Sequence, residues 1–235
     1  MYGKRSLIIG GTRGTGVVIK EVLTSRGDDV FTASRTTSTD PKHFVINLPN
    51  NINVDKDINF NYLIFAHRYR GIDWDDDFDI TVRSVDLLIN RLKNNFSSEA
   101  SIVVLGSNAG QFVVDEQPAS YHASRAALVG LVKYYASALG NRGIRCNLVL
   151  PTTIIKPENE HFFTEENQVR KMIERITPLR RMGTAIDVAN TVEFLCSEKS
   201  SFITGQSFFV DGGLSIRGQE SIAREYNEQK HPNTK

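Results

Sequence analysis

The chain has 235 residues, 40% of them hydrophobic and 23% charged, which is enough length and apolar content for one large α/β domain with a sizeable core. Its 28 basic and 27 acidic residues leave a net charge of +1, so there is no electrostatic ground for a nucleic-acid or anionic-membrane surface. The two cysteines, Cys146 and Cys196, sit apart in apolar runs with no CxxC pair and read as reduced core residues. No apolar run approaches the ~18 residues of a membrane span. Met1-Tyr2-Gly3-Lys4-Arg5 leads into a strand without a signal peptide, so a cytoplasmic location is expected.

Ser6-Leu7-Ile8-Ile9 predicts a buried strand. It flows into Gly10-Gly11-Thr12-Arg13-Gly14-Thr15-Gly16 and then a helical pattern ending near Gly27. Glycines between strand and helix let the backbone turn sharply and let phosphates approach a helix N-terminus. The next strand, from Asp29, ends in Ser34-Arg35. In dinucleotide folds an acid at this strand end binds a free ribose 2′-OH, whereas an arginine accommodates a 2′-phosphate. There is no acid, and Arg35 with Arg13 favours NADP over NAD.

Strands are expected at His43–Leu48 and Asn61–Ala66. The acidic cluster Asp73-Trp74-Asp75-Asp76-Asp77 opens a helix reaching about Phe96, and reads as a capped, solvated helix start rather than a metal site. A fifth strand, Ser101–Leu105, ends at Gly106-Ser107, and a sixth, Gly143–Leu150, is stopped by Pro151. Phe208-Phe209-Val210 is the last strand. Strands alternating with helices predict an α/β Rossmann-type doubly wound parallel sheet of about seven strands with helices on both faces. A single domain over 1–218 is expected, with a polar, frayed tail over 219–235.

Between the fifth and sixth strands, Ser120-Tyr121-His122-Ala123-Ser124-Arg125 starts a long helix. Tyr121 and Arg125 are one turn apart on the same face. A permanent cation beside a phenol favours the ionised ring, which makes the pair a candidate acid–base device, although exposed pairs at this spacing are also common.

Taken together, these motifs resemble the short-chain dehydrogenase/reductase family over about Ser6 to Gly213. The glycine turn is similar to TGxxxGxG, Tyr121 occupies the tyrosine of YxxxK, and Pro178–Gly183, Thr204-Gly205-Gln206 and Val210–Gly213 resemble PLxRxG, TGQ and VDGG. The last phrases are most typical of 3-oxoacyl-carrier-protein reductases. The resemblance implies hydride transfer from NADPH to a ketone or 3-oxoacyl-type carbonyl, with Tyr121 as general acid, Ser107 holding the oxygen and Arg125 in the lysine position. It implies cofactor contacts at Gly10, Thr12, Arg13, Gly14, Thr15, Gly16, Ser34, Arg35, Asn47, Leu48, Ala66, Tyr121, Arg125, Pro151 and Ile154, and no metal. It further implies a small-molecule or carrier-bound substrate selected by a variable lid over 156–182, and a homo-oligomer, tetramer or dimer.

The sequence also departs from the family. Arg125 replaces the lysine, and its guanidinium cannot release a proton into a relay. Phe65-Ala66-His67-Arg68 replaces NNAG, Thr81 to Ile89 contains no relay asparagine, and Lys156 sits where a cofactor-binding threonine is common. A catalytically impaired binding or partner subunit, or a modified reaction such as enone reduction, is therefore the alternative reading. His67 and His122 are expected to be structural or exposed, and Phe162, Phe163 and Met182 serve equally as a substrate-facing surface or as core.

Overall fold

Continuous apolar runs alternate with helical stripes along the chain. The computed structural model, which describes residues 3–55 and 57–230, turns them into strands and helices. β1 (Arg5–Ile9) passes through the glycine turn into α1 (Gly14–Ser25), followed by β2 (Asp29–Ser34), β3 (His43–Val45) and β4 (Phe60–Phe65). Next come α2 (Trp74–Phe78), a π turn at Asp79–Arg83, α3 (Ser84–Leu92), β5 (Phe96–Leu105), α4 (Ala119–Gly140) and β6 (Arg145–Pro151). The order closes with β7 (Ile154–Ile155), α5 (Gln168–Ile176), β8 (Gly183–Thr184), α6 (Ala185–Leu195), β9 (Ser207–Val210) and α7 (Gln219–Lys230).

Seven strands form one sheet in the order β3-β2-β1-β4-β5-β6-β9. Every neighbouring pair is parallel, so the doubly wound sheet expected from the alternation is what forms. Parallel sheets bury both faces, which is why their strands are apolar throughout rather than alternating. Along β1, Leu7 and Ile9 enter one apolar layer with Val85, Leu88, Leu128 and Val132 of α3 and α4. Ile8 enters the opposite layer with Ile19 and Leu23 of α1 and Val188 and Val192 of α6. Cys146 and Cys196 are free and buried, one in each layer. Burial pushes both thiols up to about 12. Chain order reverses between β1 and β4, so a crevice opens at their carboxyl ends.

Three expectations need correction, and one pair of strands was not expected. β3 stops at Val45, because Asn47 turns back to pair its backbone with Asn51. β5 starts at Phe96, with an irregular register opposite Phe60 and Tyr62. β7 and β8 form a small parallel pair, Ile154 against Gly183 and Ile155 against Thr184, too short to leave a periodic trace. The polar tail is not frayed along its length: α7 covers Gln219–Lys230. Its Glu225 takes Arg180 at 2.7 Å and Arg175 at 3.3 Å, which ties α7 to the α5 region. Met1, Tyr2 and the tail's last residues, 231–235, lie outside the described residues.

The β7–β8 pair is anchored by the start of α6. The carboxylate of Asp187 accepts from the Thr184 amide at 2.7 Å and hydroxyl at 2.9 Å, a capping box. The same carboxylate accepts from both terminal nitrogens of Arg181, at 2.8 and 2.7 Å. The Arg181 hydrogen bonds and those from Thr184 hold it at about 2, below the usual 3.8. Its folded-state value is depressed, so its contribution is present above 3.8 and is lost as pH falls through about 2. Asp187→Ala should therefore lower the unfolding free energy by ~1–2 kcal/mol at neutral pH. In urea unfolding followed across pH, the gap between wild type and variant should close towards acid; a constant gap would refute the assignment.

Candidate active site

The sheet's carboxyl edge borders a cavity of about 810 Å³, lined from the glycine turn to the start of α4, a size usual for a small-molecule site. Gly10 and Gly14 have φ of +86° and +58°, a region L side chains rarely adopt. A Cβ on Gly10 would lie 2.7 Å from the His67 amide nitrogen, so the turn is pressed against the end of β4. A Cβ on Gly16 would lie 2.1 Å from the Gly10 carbonyl oxygen. Gly16 therefore does not line the cavity; its missing side chain lets α1 close onto the turn. No side chain caps the start of α1, and its first turn has no acid. Its amide groups are thus available to an anion.

Gly10, Thr12, Arg13, Gly14, Thr15, Ser34, Arg35, Leu48, Ala66, Ser107, Tyr121, Arg125, Pro151 and Ile154 all border the cavity. Asn47 does not, because its backbone is committed to the bridge with Asn51 while Ile46 and Leu48 face inward. Phe163 and Met182 are buried, Phe162 is exposed, and none of the three lines the cavity. The glycine cradle and the uncapped helix start fit a dinucleotide, and Arg13, in the glycine turn, and Arg35, just after β2, border the same cavity.

Ser107 ends the turn after β5, where its hydroxyl accepts from the Ala109 amide at 3.2 Å. Tyr121 lies in the first turn of α4, and its hydroxyl makes no hydrogen bond among the described residues. His122 accepts from the Val114 amide at 2.9 Å and donates to the Pro118 carbonyl at 3.0 Å, which pins the loop before α4. His67 is partly exposed as a residue, but its Nδ1 is closed to solvent and unpartnered. Its Nε2 donates to the Ile80 carbonyl at 2.8 Å. Burial pushes this imidazole down to about 4, so it is neutral at physiological pH.

Arg125 lies inside the protein, with its side chain 3% exposed. Its Nη1 donates to Asp77 at 3.1 Å, Thr81 at 2.7 Å and Ser124 at 2.8 Å. Thr81 and Ser124 also donate to the same Asp77 oxygen, at 2.8 and 3.1 Å. The acidic cluster is thus divided. Asp73 caps α2 by accepting from the Asp76 amide, while Asp77 is buried as the counterion of Arg125. The π turn widens the helix between Asp77 and Ser84 and carries Thr81 to the guanidinium. The Arg125 Cζ stands 4.2 Å from the centroid of the Tyr121 ring, a cation–π contact. Its Nη2 is buried beside the cavity without a partner among the described residues, an orphaned donor that fits a ligand hydroxyl. No local pattern singles out Asp77 or Thr81: the first shares a run of acids that reads as a solvated helix cap, and the second belongs to no motif.

A family model described as enoyl-(acyl carrier protein) reductase matches residues 66–215. The 3-oxoacyl-[acyl-carrier-protein] reductase FabG of Staphylococcus epidermidis is 35% identical over 169 residues, covering 71% of this chain. The match spans 65% of that relative's length, less than two thirds. Among solved structures, the aldohexose dehydrogenase of Thermoplasma acidophilum superposes with a TM-score of 0.79 at 23% identity, over 92% of this chain and 96% of its own. A 4-hydroxyisoleucine dehydrogenase complexed with NADH gives 0.76 at 22% identity, over 92% of this chain and all of its own. Both likenesses bear on the fold.

The buried pair gives a stability test. Asp77→Asn leaves a buried guanidinium without its counterion and should cost about 3–5 kcal/mol in denaturant unfolding. Combining Asp77→Leu with Arg125→Met should recover most of that loss, since a buried pair replaced by apolar groups is often neutral. A double variant no more stable than Asp77→Asn would show that the pair is not the source of the cost.

Proposed function

The chain belongs to the short-chain dehydrogenase/reductase family, and from that premise we propose that it is an NADPH-dependent oxidoreductase that reduces a carbonyl to an alcohol. The observation that carries this is the convergence of Ser107 and Tyr121 on the cavity that the glycine turn opens into. A reduced nicotinamide bound there would supply hydride to the carbonyl carbon. The Tyr121 hydroxyl, without a partner among the described residues, is free to give its proton to the carbonyl oxygen. The Ser107 hydroxyl holds that oxygen as its charge develops. Arg125 orders the Tyr121 ring from its face, and its orphaned Nη2 is a donor for the nicotinamide ribose.

NADPH is proposed over NADH because Arg13 and Arg35 border the cavity and neither makes an ion pair among the described residues. The similarity to 3-oxoacyl-carrier-protein reductases supports a carrier-bound or small 3-oxo substrate in a biosynthetic step, in the cytoplasm. Among the described residues no helix is long and apolar enough to cross a membrane. A homo-oligomer belongs to the same proposal, supported by the exposed Tyr134 on α4. A second reading, a nucleotide-binding subunit without turnover, is favoured by one observation: Arg125 Nη1 is fully engaged by Asp77, Thr81 and Ser124.

Tyr121→Phe should cut turnover of 3-oxoacyl thioesters or ketones by ~10²-fold or more while NADPH affinity stays within about twofold. Undiminished turnover would refute Tyr121 as the acid, and wild-type protein that binds NADPH without oxidising it would favour the second reading. Arg35→Ala should weaken NADPH by roughly tenfold in a fluorescence titration and leave NADH nearly unchanged. Equal losses for both would reject the 2′-phosphate assignment.

A further inference from the structure

Four charged residues crowd the cavity where it meets the start of α1: Arg68, Arg70, Lys156 and Glu158. Arg68 and Arg70 lie just beyond β4, while Lys156 and Glu158 lie in the turn that follows β7. That turn is fixed by Asn159, which accepts from the Lys156 amide at 2.8 Å and donates to the Ile154 carbonyl at 3.1 Å. It delivers the Glu158 carboxylate onto the glycine turn. A Cβ built on Gly14, the first residue of α1, would lie 2.5 Å from Glu158 Oε2 and 2.7 Å from Oε1. The carboxylate therefore touches the bare Cα at the helix start, where an anion is favoured by the helix dipole and free amides.

We propose that Glu158 is an internal competitor for the dinucleotide diphosphate: nucleotide binding displaces its carboxylate from Gly14 and transfers Arg70 from Glu158 to the phosphates. This rests on the cofactor reading above. Two anions cannot share one helix start without strong like-charge repulsion, so one of them must leave. Glu158 is the weaker occupant. Its Oε1 is held by Arg70 Nη2 at 2.6 Å, but that arginine side chain is 52% exposed, an ion pair of the solvent-screened kind. Its Oε2 is buried with no hydrogen-bond partner among the described residues, which leaves the carboxylate under-satisfied.

The surroundings favour a stronger anion. Arg68 and the Lys156 ammonium make no hydrogen bond or ion pair among the described residues. Arg68 is exposed and stands beside Arg70, while burial, and then Arg68, pushes the half-buried Lys156 down. Three cations thus face one carboxylate, an excess that suits the two negative charges of a diphosphate.

The test is binding, measured by titrating NADPH and NADH into wild type and Glu158→Gln at fixed ionic strength. The isosteric variant keeps the turn and removes the competing charge, so both nucleotides should bind roughly tenfold tighter, and by the same factor, because both carry the diphosphate. Adding Arg70→Gln should weaken binding more in the Glu158→Gln background than in wild type, where Arg70 must first be freed. Wild-type binding that is unchanged or weakened by Glu158→Gln overturns the inference and leaves the cofactor reading standing. Tightening for NADPH alone also overturns it, because the effect would then lie at the 2′-phosphate. Failure of both proteins to bind either nucleotide overturns the cofactor reading and the inference with it.

Discussion

All seven strands of the large sheet run parallel, and this one constraint decides where chemistry can happen. Parallel neighbours need crossovers, crossovers place helices on both faces, and both faces are therefore sealed by apolar layers. What stays open is the edge where the strands end. Because the chain reverses its direction of winding between β1 and β4, the turns leaving those two strands separate and the cavity forms between them. The close contacts of Gly10 with the His67 backbone and of Gly16 with the Gly10 carbonyl set how tightly this junction closes. Tyr121 and Ser107 reach the same edge from α4 and from the end of β5, so residues far apart in sequence meet without any further device.

An arginine at position 125 shapes more than its own side chain. A guanidinium is bulky and cannot lose its proton, so burying it demands a permanent counterion. Asp77 supplies the charge, Thr81 and Ser124 accept from the same Nη1, and the π turn gives Thr81 the reach to do so. The result is a buried polar network under the Tyr121 ring, with Nη2 left for the cavity side. Above that network the Tyr121 ring borders the cavity, and its hydroxyl has no hydrogen-bond partner among the described residues.

Much of this was legible in the sequence because it depends on local chemistry. Apolar runs gave the strands, and glycines between strand and helix marked the turn. The spacing of Ser107, Tyr121 and Pro151 against strand ends located the edge of the sheet. Three kinds of feature were not legible. β7 and β8 are two residues each, shorter than any period that could reveal them. The tail helix α7 is polar and is held by one carboxylate bridging arginines from other segments, a long-range arrangement without a local pattern. Asp77 belonged to a run of acids in which every member had the same local reason to be exposed, and only the fold selects which one turns inward to meet Arg125.

Burial also explains why two chemically similar ion pairs at the cavity have opposite uses. Arg125 with Asp77 and Arg70 with Glu158 are each an arginine donating to a carboxylate, and the second contact is the shorter, 2.6 Å against 3.1 Å. Distance does not rank them. The first pair has side chains 3% and 2% exposed, with added donors from Thr81 and Ser124, so separating it would strand two charges away from water. The second is 52% and 25% exposed with one oxygen unpartnered, so water and an incoming anion can replace what each partner loses. The deep pair is therefore a fixed part of the tyrosine's support, whereas the shallow pair can be opened by a ligand, and the cavity runs from one to the other.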